Sequence, residues 1–335
     1  MSKSTVQRLF CGFTAFLLSG CMPMSFLVTP VSGRRALEET ELSSDGKLVR
    51  DKIALIEITG TIQNAEGFAL FRQGENPVSV LLEQLDKAGR DPRVKGVILR
   101  INSPGGTVVA SELMHQEITH FRKTTGKPVV AMLMDVAASG GYYVACSCDE
   151  IIAQPSTVTG SIGVIMLMID VSGTMNLIGV KSDAITSGAF KDAGSPFRAM
   201  KPEERDVFQA IVLGMYDRFV KAVDEGRPKL DEHAVRKLAD GRVYLAQQAL
   251  DVGLIDRIAT MREILEALKS RVGIKSARLI AYQRSYDYRP NYYASAPPSP
   301  PSADMNLVKV EMSNPFTPSP PRFLYLWTPG GMGGE

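Results

Sequence analysis

The stretch Met134-Asp135-Val136-Ala137-Ala138-Ser139-Gly140-Gly141-Tyr142-Tyr143 decides how this chain is read. The run leading to it, Pro128 to Met134, is apolar and has the composition of a buried strand. Small residues follow, then Ser139, two glycines and an apolar helical continuation through Ala145. This order predicts a strand, a sharp turn with a serine on it, and a helix start. Such a turn can hold a hydroxyl at a helix N-terminus, where backbone N–H groups and the helix dipole favour developing negative charge. Gly140 lacks a Cβ, so its own N–H can come close to a substrate carbonyl. The same residues also fit a plainer reading, a small-residue helix start under a sheet with serine as its N-cap.

What could activate the serine separates the two readings. The three histidines are His115, His120 and His233. The first two share one predicted amphipathic helix and the third sits in a charged helical segment, which suits satisfied or solvated surface imidazoles. Nothing in the pattern brings one of them to Ser139. The other means of deprotonating a serine is a neutral lysine. With a solution pKa near 10.4, only roughly 0.1% of lysine is neutral around pH 7.4. Burial has to lower that value by about three units, at a cost on the order of 4 kcal/mol of folding stability. An apolar, glycine-rich setting suits such a lysine, and Lys191 has one in Thr186-Ser187-Gly188-Ala189-Phe190-Lys191-Asp192. The residues alone fit a surface lysine paired with Asp192 at least as well.

Four short segments come in order over about ninety residues: Asn102-Ser103-Pro104-Gly105-Gly106, Ala138-Ser139-Gly140-Gly141-Tyr142-Tyr143, Thr159-Gly160-Ser161-Ile162-Gly163-Val164 and Ser187-Gly188-Ala189-Phe190-Lys191-Asp192. Singly each is weak; together they are specific. The series resembles the S49 family of Ser-Lys peptidases, the signal peptide peptidases, in the short single-domain form that carries serine and lysine on one chain. The similarity runs from about Lys52 to Arg257, with a weaker echo at the C-terminus. The resemblance implies an α/β, Clp-protease/crotonase-like fold of repeated βαβ units. It makes Ser139 the nucleophile, Lys191 the general base and later acid, and Ser161 the residue that orients the lysine amine. Backbone N–H groups of Gly105, Gly106 and Gly140 would supply the oxyanion hole, and no metal or other cofactor is implied. It further implies peptide substrates, signal peptides among them, and a ring-shaped homo-oligomer. Phe190 departs from the pattern, standing where the family often has tyrosine or histidine.

Physical reasoning agrees with part of this. Two glycine loops that each follow a predicted strand can aim bare N–H donors at one point, and losing one such donor costs about 2.7–4 kcal/mol in a transition state. A chain of 335 residues with 44% apolar content can bury one sizeable α/β core plus appendages. Its net charge of +2, with both signs interspersed, argues against a nucleic-acid-binding surface. Of the cysteines Cys11, Cys21, Cys146 and Cys148, the last two are too close for an ordinary disulfide, and none has metal-ligand spacing. They read as small apolar residues beneath the Ser139 helix.

Around that centre the chain divides into segments 1–20, 21–48, 49–282 and 283–335. Lys3 and Arg8 precede an apolar run from Leu9 to Leu18 and then Leu18-Ser19-Gly20-Cys21, which makes 1–20 a secretory signal. The small residues before Cys21 resemble a bacterial lipobox, with Cys21 the lipidated first residue and the route to membrane lipid. The alternative is an uncleaved anchor to about residue 28, since no charge lies between Arg8 and Arg34, but Pro23 weakens that helix. In either case the catalytic domain lies outside the cytoplasm, on the periplasmic side of the envelope. Residues 21–48 read as a polar linker.

Within 49–282, strands are expected at Lys52 to Ile58, Arg93 to Ile101, Lys127 to Met134, Glu150 to Ala153 and Val164 to Val171. Helices are expected at Pro77 onward, Val108 to Arg122, Pro202 to Glu225 and Thr260 to Val272. Their alternation predicts parallel βαβ units with right-handed crossovers and sites at the strand C-terminal ends. The tail is Pro-rich and extended from Pro290 to Pro321, then ends in the β-prone Arg322-Phe323-Leu324-Tyr325-Leu326-Trp327. A strand added to the sheet or to a neighbouring subunit is the simpler expectation for it; a strand lying in a substrate groove is the sharper one. Two rival functions share parts of the pattern: a crotonase-type acyl-CoA hydratase or hydrolase, which would need a carboxylate and a CoA site, and a catalytically silent membrane-associated scaffold.

Overall fold

The computed structural model describes residues 37–64, 68–69, 72–73, 75–284 and 323–327. The expected signal segment 1–20, Cys21 and the Pro-rich stretch lie outside the described residues. Chain order runs β1 (Glu38–Ser44), β2 (Lys52–Thr59), the short hairpin β3 (Phe68–Ala69) and β4 (Arg72–Gln73), α1 (Pro77–Arg90), β5 (Val94–Ser103), β6 (Gly105–Thr107), α2 (Val108–Thr125) and β7 (Val129–Ala138). Then come α3 (Gly140–Ala145), β8 (Glu150–Ala153), β9 (Val158–Gly160), β10 (Ile165–Met166), α4 (Ser172–Leu177) and α5 (Pro202–Gly226). The order ends with α6 (Glu232–Leu238), β11 (Val243–Leu245), α7 (Ala246–Asp251), β12 (Arg257–Ile258), α8 (Met261–Arg271), β13 (Arg278–Gln283) and β14 (Phe323–Leu326).

The main sheet has the strand order β1-β13-β2-β5-β7-β8-β12, with β9 branching from β7 and carrying β11. Neighbours from β13 to β12 are all parallel, as is β7 with β9, while β1 and β11 join antiparallel at the rims. This is a mixed α/β fold with a mostly parallel sheet, as the strand–helix alternation predicts. Its central strands are apolar on both faces because both faces are covered. β2 sends Ala54, Ile56 and Ile58 into one core and Ile53 and Leu55 into the other; β7 divides Val129, Ala131 and Leu133 from Val130 and Met132 in the same way. α1, α2 and α3 cover the first face with residues such as Leu85, Met114, Ile118 and Tyr142, and α8 covers the second with Met261, Ile264 and Leu268.

Local signals set the helix starts. Asn76 Oδ1 accepts from the N–H groups of Val78 and Ser79, with Pro77 in the first turn, and Thr260 forms a capping box with Glu263. Among the described residues, no helix is long and apolar enough to cross a membrane.

Several elements differ from expectation. Residues 38–44, inside the expected 21–48 linker, form the edge strand β1, whose polar composition suits a sheet rim. The buried Lys52 ammonium fastens it, donating to Glu39 at 2.6 Å and to Asp91 at 2.9 Å. The expected strand over Val164 to Val171 shrinks to Ile165–Met166, and Leu167 and Ile169 are exposed beyond it. On α1 the buried face is Leu81, Gln84, Leu85 and Ala88, which leaves Leu82 outside. On α5 only the C-terminal half of the expected apolar face is covered: Phe219 and Val223 are buried, Val207 and Ile211 exposed.

Candidate active site

Parallel pairing builds the floor of the site. β7 ends at Ala138, and its register with β9 sets Ala138 against Gly160, so Ser139 and Ser161 leave the sheet side by side. Both serines are held at positive φ, 53° and 50°, and among the described residues no other non-glycine residue is. A serine at φ 53°, ψ −118° costs on the order of 1–3 kcal/mol in backbone strain, so its surroundings must impose it. They do so on every side. Ser139 N donates to Gly160 O at 2.7 Å, Tyr143 N donates to Ser139 O at 2.9 Å, and Thr159 Oγ1 donates to Ala137 O at 2.6 Å. Ser161 N is tied in turn to Arg242 O at 2.8 Å.

The second loop, 102–106, follows β5 and is fastened as firmly. Ser103 Oγ donates to Gly60 O at 2.6 Å and accepts from Gly105 N at 3.1 Å. Ile62 N donates to Gly105 O at 2.9 Å, and Thr107 N to Ile62 O at 2.8 Å. With the Gly105 N–H bound to Ser103, Gly106 is the loop residue whose amide stands beside Gly140. A Cβ on Gly140 would lie 3.1 Å from Gly106 N and 2.4 Å from Ser111 Oγ; one on Gly106 would lie 1.8 Å from Ile62 O. A side chain at Gly106 would have to displace backbone, and one at Gly140 would have to displace the Ser111 hydroxyl.

An open cleft of about 470 Å³ lies over this floor, lined by Ser139, Ser161, Ile162, Val164, Leu213 and Tyr216 and, from the far end of the chain, Leu326 and Trp327. Ser139 itself is buried. Two hydroxyls thus line one apolar-walled cleft, and the Gly106 and Gly140 amides stand together behind it where Tyr325 of β14 pairs with Gly106, a set able to stabilise an oxyanion on a carbonyl that takes the place of the Tyr325 carbonyl.

The structure brings Ser139, Ser161, Gly105, Gly106 and Gly140 together, and it does not bring Lys191 to them. Lys191 is exposed in the turn-rich stretch after α4, outside the cleft lining. Its expected surface partner is also engaged elsewhere: Asp192 accepts from Arg198 Nε at 2.7 Å, which holds the carboxyl below its usual range. Cys146 and Cys148 are buried and unbridged, as expected, and burial pushes both thiols up to about 12.

Two features had no sequence signal. His115 on α2 is largely buried, ring edge against Tyr143 at 5.2 Å, and desolvation with nearby Arg122 lowers its imidazole to about 4. Tyr143, Phe219 and Tyr325 form a cluster with centroid separations of 4.6 to 5.2 Å. Residues so far apart in sequence could only be linked through the fold.

Residues 121–275 match Peptidase family S49. A protein of Enterococcus faecium named as a signal peptide peptidase SppA is 37% identical over 246 residues, which cover 73% of this chain and 71% of that one. One of Methanocaldococcus jannaschii named as a protease is 35% identical over 234 residues, 69% of this chain and 74% of that one. A chloroplastic serine protease SPPA of Arabidopsis thaliana is 33% identical over 227 residues, 67% of this chain and 33% of that one.

Proposed function

The chain belongs to peptidase family S49 and is a serine-type peptidase, and from that premise we propose that it is a Ser-Lys endopeptidase of Clp-protease/crotonase-like fold. It degrades signal peptides and other unstructured hydrophobic peptides at a membrane surface, outside the cytoplasm, held there through the lipidated Cys21. Family membership also sets aside the acyl-CoA and scaffold readings. The observation that carries the mechanism is the strained Ser139, locked beside Gly106 and Gly140.

Ser139 Oγ attacks the peptide carbonyl while the neutral Lys191 amine takes its proton. The amides of Gly106 and Gly140 hold the resulting oxyanion. The ammonium returns the proton to the leaving amine, which departs as the C–N bond breaks and an acyl-serine remains. Lys191 then deprotonates a water that hydrolyses the ester, and Ser161 steadies the amine throughout.

Since Lys191 stands outside the cleft of its own chain, the dyad forms between copies in a homo-oligomer. The exposure of Ile169, Leu177, Ile185 and Leu213 in the segment carrying the lysine supports this. Turnover of an unstructured hydrophobic peptide by the full chain should vanish in Ser139→Ala and in Lys191→Met. Mixing the two inactive chains should restore part of it, because some sites then pair a good serine with a good lysine. Full activity of Lys191→Met would remove the lysine from the mechanism; no rescue on mixing would confine the dyad to one chain.

A further inference from the structure

The two glycine loops come level with one another through a bulge in β7. β5 and β7 pair in parallel with Leu99 against Ala131 and Ile101 against Leu133, and the next pair is Ser103 against Ala137. Across that step β5 advances two residues and β7 advances four, so β7 takes in two extra residues. Unbroken pairing would set Asp135 against Ser103 and carry Ser139 up to the level of Thr107. With the bulge, the strand past Ala137 sets Ser139 level with Gly105, and a Cβ on Gly105 would lie 2.6 Å from Gly140 N. The meeting of nucleophile and amide loop is thus a matter of register.

A bulge takes backbone groups out of the ladder, and each still needs a partner. For the Val136 N–H the partner is a side chain: it donates to Asn102 Oδ1 at 3.2 Å. Asn102 Nδ2 donates in turn to Asp135 Oδ2 at 3.4 Å. The main chain of Asn102 is bound on its other side, pairing with Thr59 of β2 and accepting from Gly60 N at 3.0 Å. One half-buried residue therefore joins β2, β5 and β7 at the point where the loop 102–106 begins. Ser103 follows it and turns the loop through its bonds to Gly60 O and Gly105 N.

We propose that Asn102 is a positioning residue for the peptidase reaction: its side-chain carbonyl stands in for a ladder acceptor in the β7 bulge and so fixes the Gly106 amide against Ser139. The proposal rests on Ser139 being the nucleophile. A tie of this kind counts most once negative charge has formed on the attacked carbonyl oxygen, and less while peptide merely binds. Without the acceptor the Val136 N–H loses its partner and the bulge can relax, which shifts the two loops relative to each other. Since a misplacement of about 1 Å can cost roughly 100-fold in rate, a smaller shift should lower kcat about tenfold or more and leave KM within about twofold.

The plainer role for such a side chain is to keep the bulge folded, and the test separates the two. In the full chain, Asn102→Leu removes the acceptor at similar size, and Asn102→Ala removes it without bulk. The double variant Asn102→Asp with Asp135→Asn keeps an oxygen for Val136 N and reverses the polarity of the neighbouring pair. A fluorophosphonate, reacted to completion, counts competent serines, and kcat is expressed per labelled serine so that unfolded chains drop out. Both single variants should lose about tenfold or more in kcat per site with KM within about twofold, and the double variant should recover to within about threefold of the parent. Affinity for a peptide aldehyde, whose hemiacetal oxygen takes the oxyanion's place, should fall in step with kcat/KM. A kcat per site within twofold of the parent in the single variants overturns the proposal, as does a KM that rises as far as kcat falls. A double variant no better than Asn102→Leu overturns it too. Ser139→Ala keeps the two claims apart: if that chain still hydrolyses peptide, or the label sits on another serine, the nucleophile assignment fails instead.

Discussion

The serines and the lysine of the candidate site sit in opposite kinds of structure. Ser139 and Ser161 rise from β7 and β9, where neighbouring residues such as Ala137, Ala138 and Thr159 are wholly buried and hydrogen bonds arrive from both sides. Lys191 rides on residues 165–213, which carry Leu177 at 88% exposure and Ile185 at 104%. That arm is ordered by its own polar contacts. Arg198 bridges Asp192 and the buried Glu204, donating to them at 2.7 and 2.6 Å. The sheet thus holds Ser139 and the glycine amides already positioned, with strain locked in, while the arm carries Lys191 on a surface that a single chain leaves uncovered. In the function proposed above, the first half of the site follows from folding and the second from assembly.

The sharpest way to break that contrast is to remove one group from each half. Ser139→Ala and Lys191→Met should each lower kcat/KM by about four orders of magnitude or more, as removing members of such a unit does. Their stabilities should differ. Ser139→Gly relaxes φ 53° and should unfold about 1 kcal/mol harder than Ser139→Ala in urea, because only glycine rests there without strain. Lys191→Met, at an exposed turn, should stay within about 0.5 kcal/mol of the parent. A destabilised Lys191→Met would show that the arm packs more tightly than its exposure indicates.

Next in size is a pair of glycines. Gly106→Ala drives a Cβ to 1.8 Å from Ile62 O and should cost about 3 kcal/mol or more, together with loss of turnover. Gly188→Ala meets nothing within 4 Å and should change urea stability by less than about 0.5 kcal/mol. Equal effects would mean the two regions are packed alike.

The same division governs how far the sequence could be read. Apolar runs such as Val129 to Met134 and capped helices such as Pro77–Arg90 announce the sheet and its cover, and the motifs 102–106 and 138–143 fall at strand ends as βαβ alternation requires. β1 carries no strand signal because edge strands are allowed charge. The run Val164 to Val171 reads as a strand because it is apolar, yet among the described residues it pairs only at Ile165 and Met166. The face of α5 reads as core-facing along its whole length because periodicity does not say whether the cover comes from the same chain. The pocket of Tyr143, Phe219 and Tyr325 assembles residues from three distant segments, and no local pattern links them.

A smaller effect separates the halves by pH. His115 has an imidazole near 4 in the fold against an ordinary 6.5, since burial and Arg122 disfavour its charged form. The unfolded chain therefore binds the extra proton first, and stability falls as pH drops from 6.5 to 4, by about 2–3 kcal/mol for a shift of that size. His115→Gln should flatten that slope in urea unfolding measured across the interval. In the arm, Asp170 and Asp192 are instead held below 3.8, so what they contribute is present above that value and lost only in stronger acid. An unchanged slope in His115→Gln would place the acid-sensitive group elsewhere.

The smallest effect on the single chain is the most telling about the arm. Leu177→Ser and Ile185→Ser replace apolar side chains that their own chain leaves in water, so monomer stability should move by no more than about 0.5 kcal/mol. If those side chains are covered by another copy, the same changes should lower the mass measured by light scattering at micromolar concentration and lower activity in proportion. Ile98→Ser, fully buried in the sheet, would act in the opposite sense, costing several kcal/mol of folding before any effect on assembly. Should the two arm variants keep both mass and turnover, the apolar surface is not an interface, and Lys191 would have to reach Ser139 by a movement of the arm within one chain.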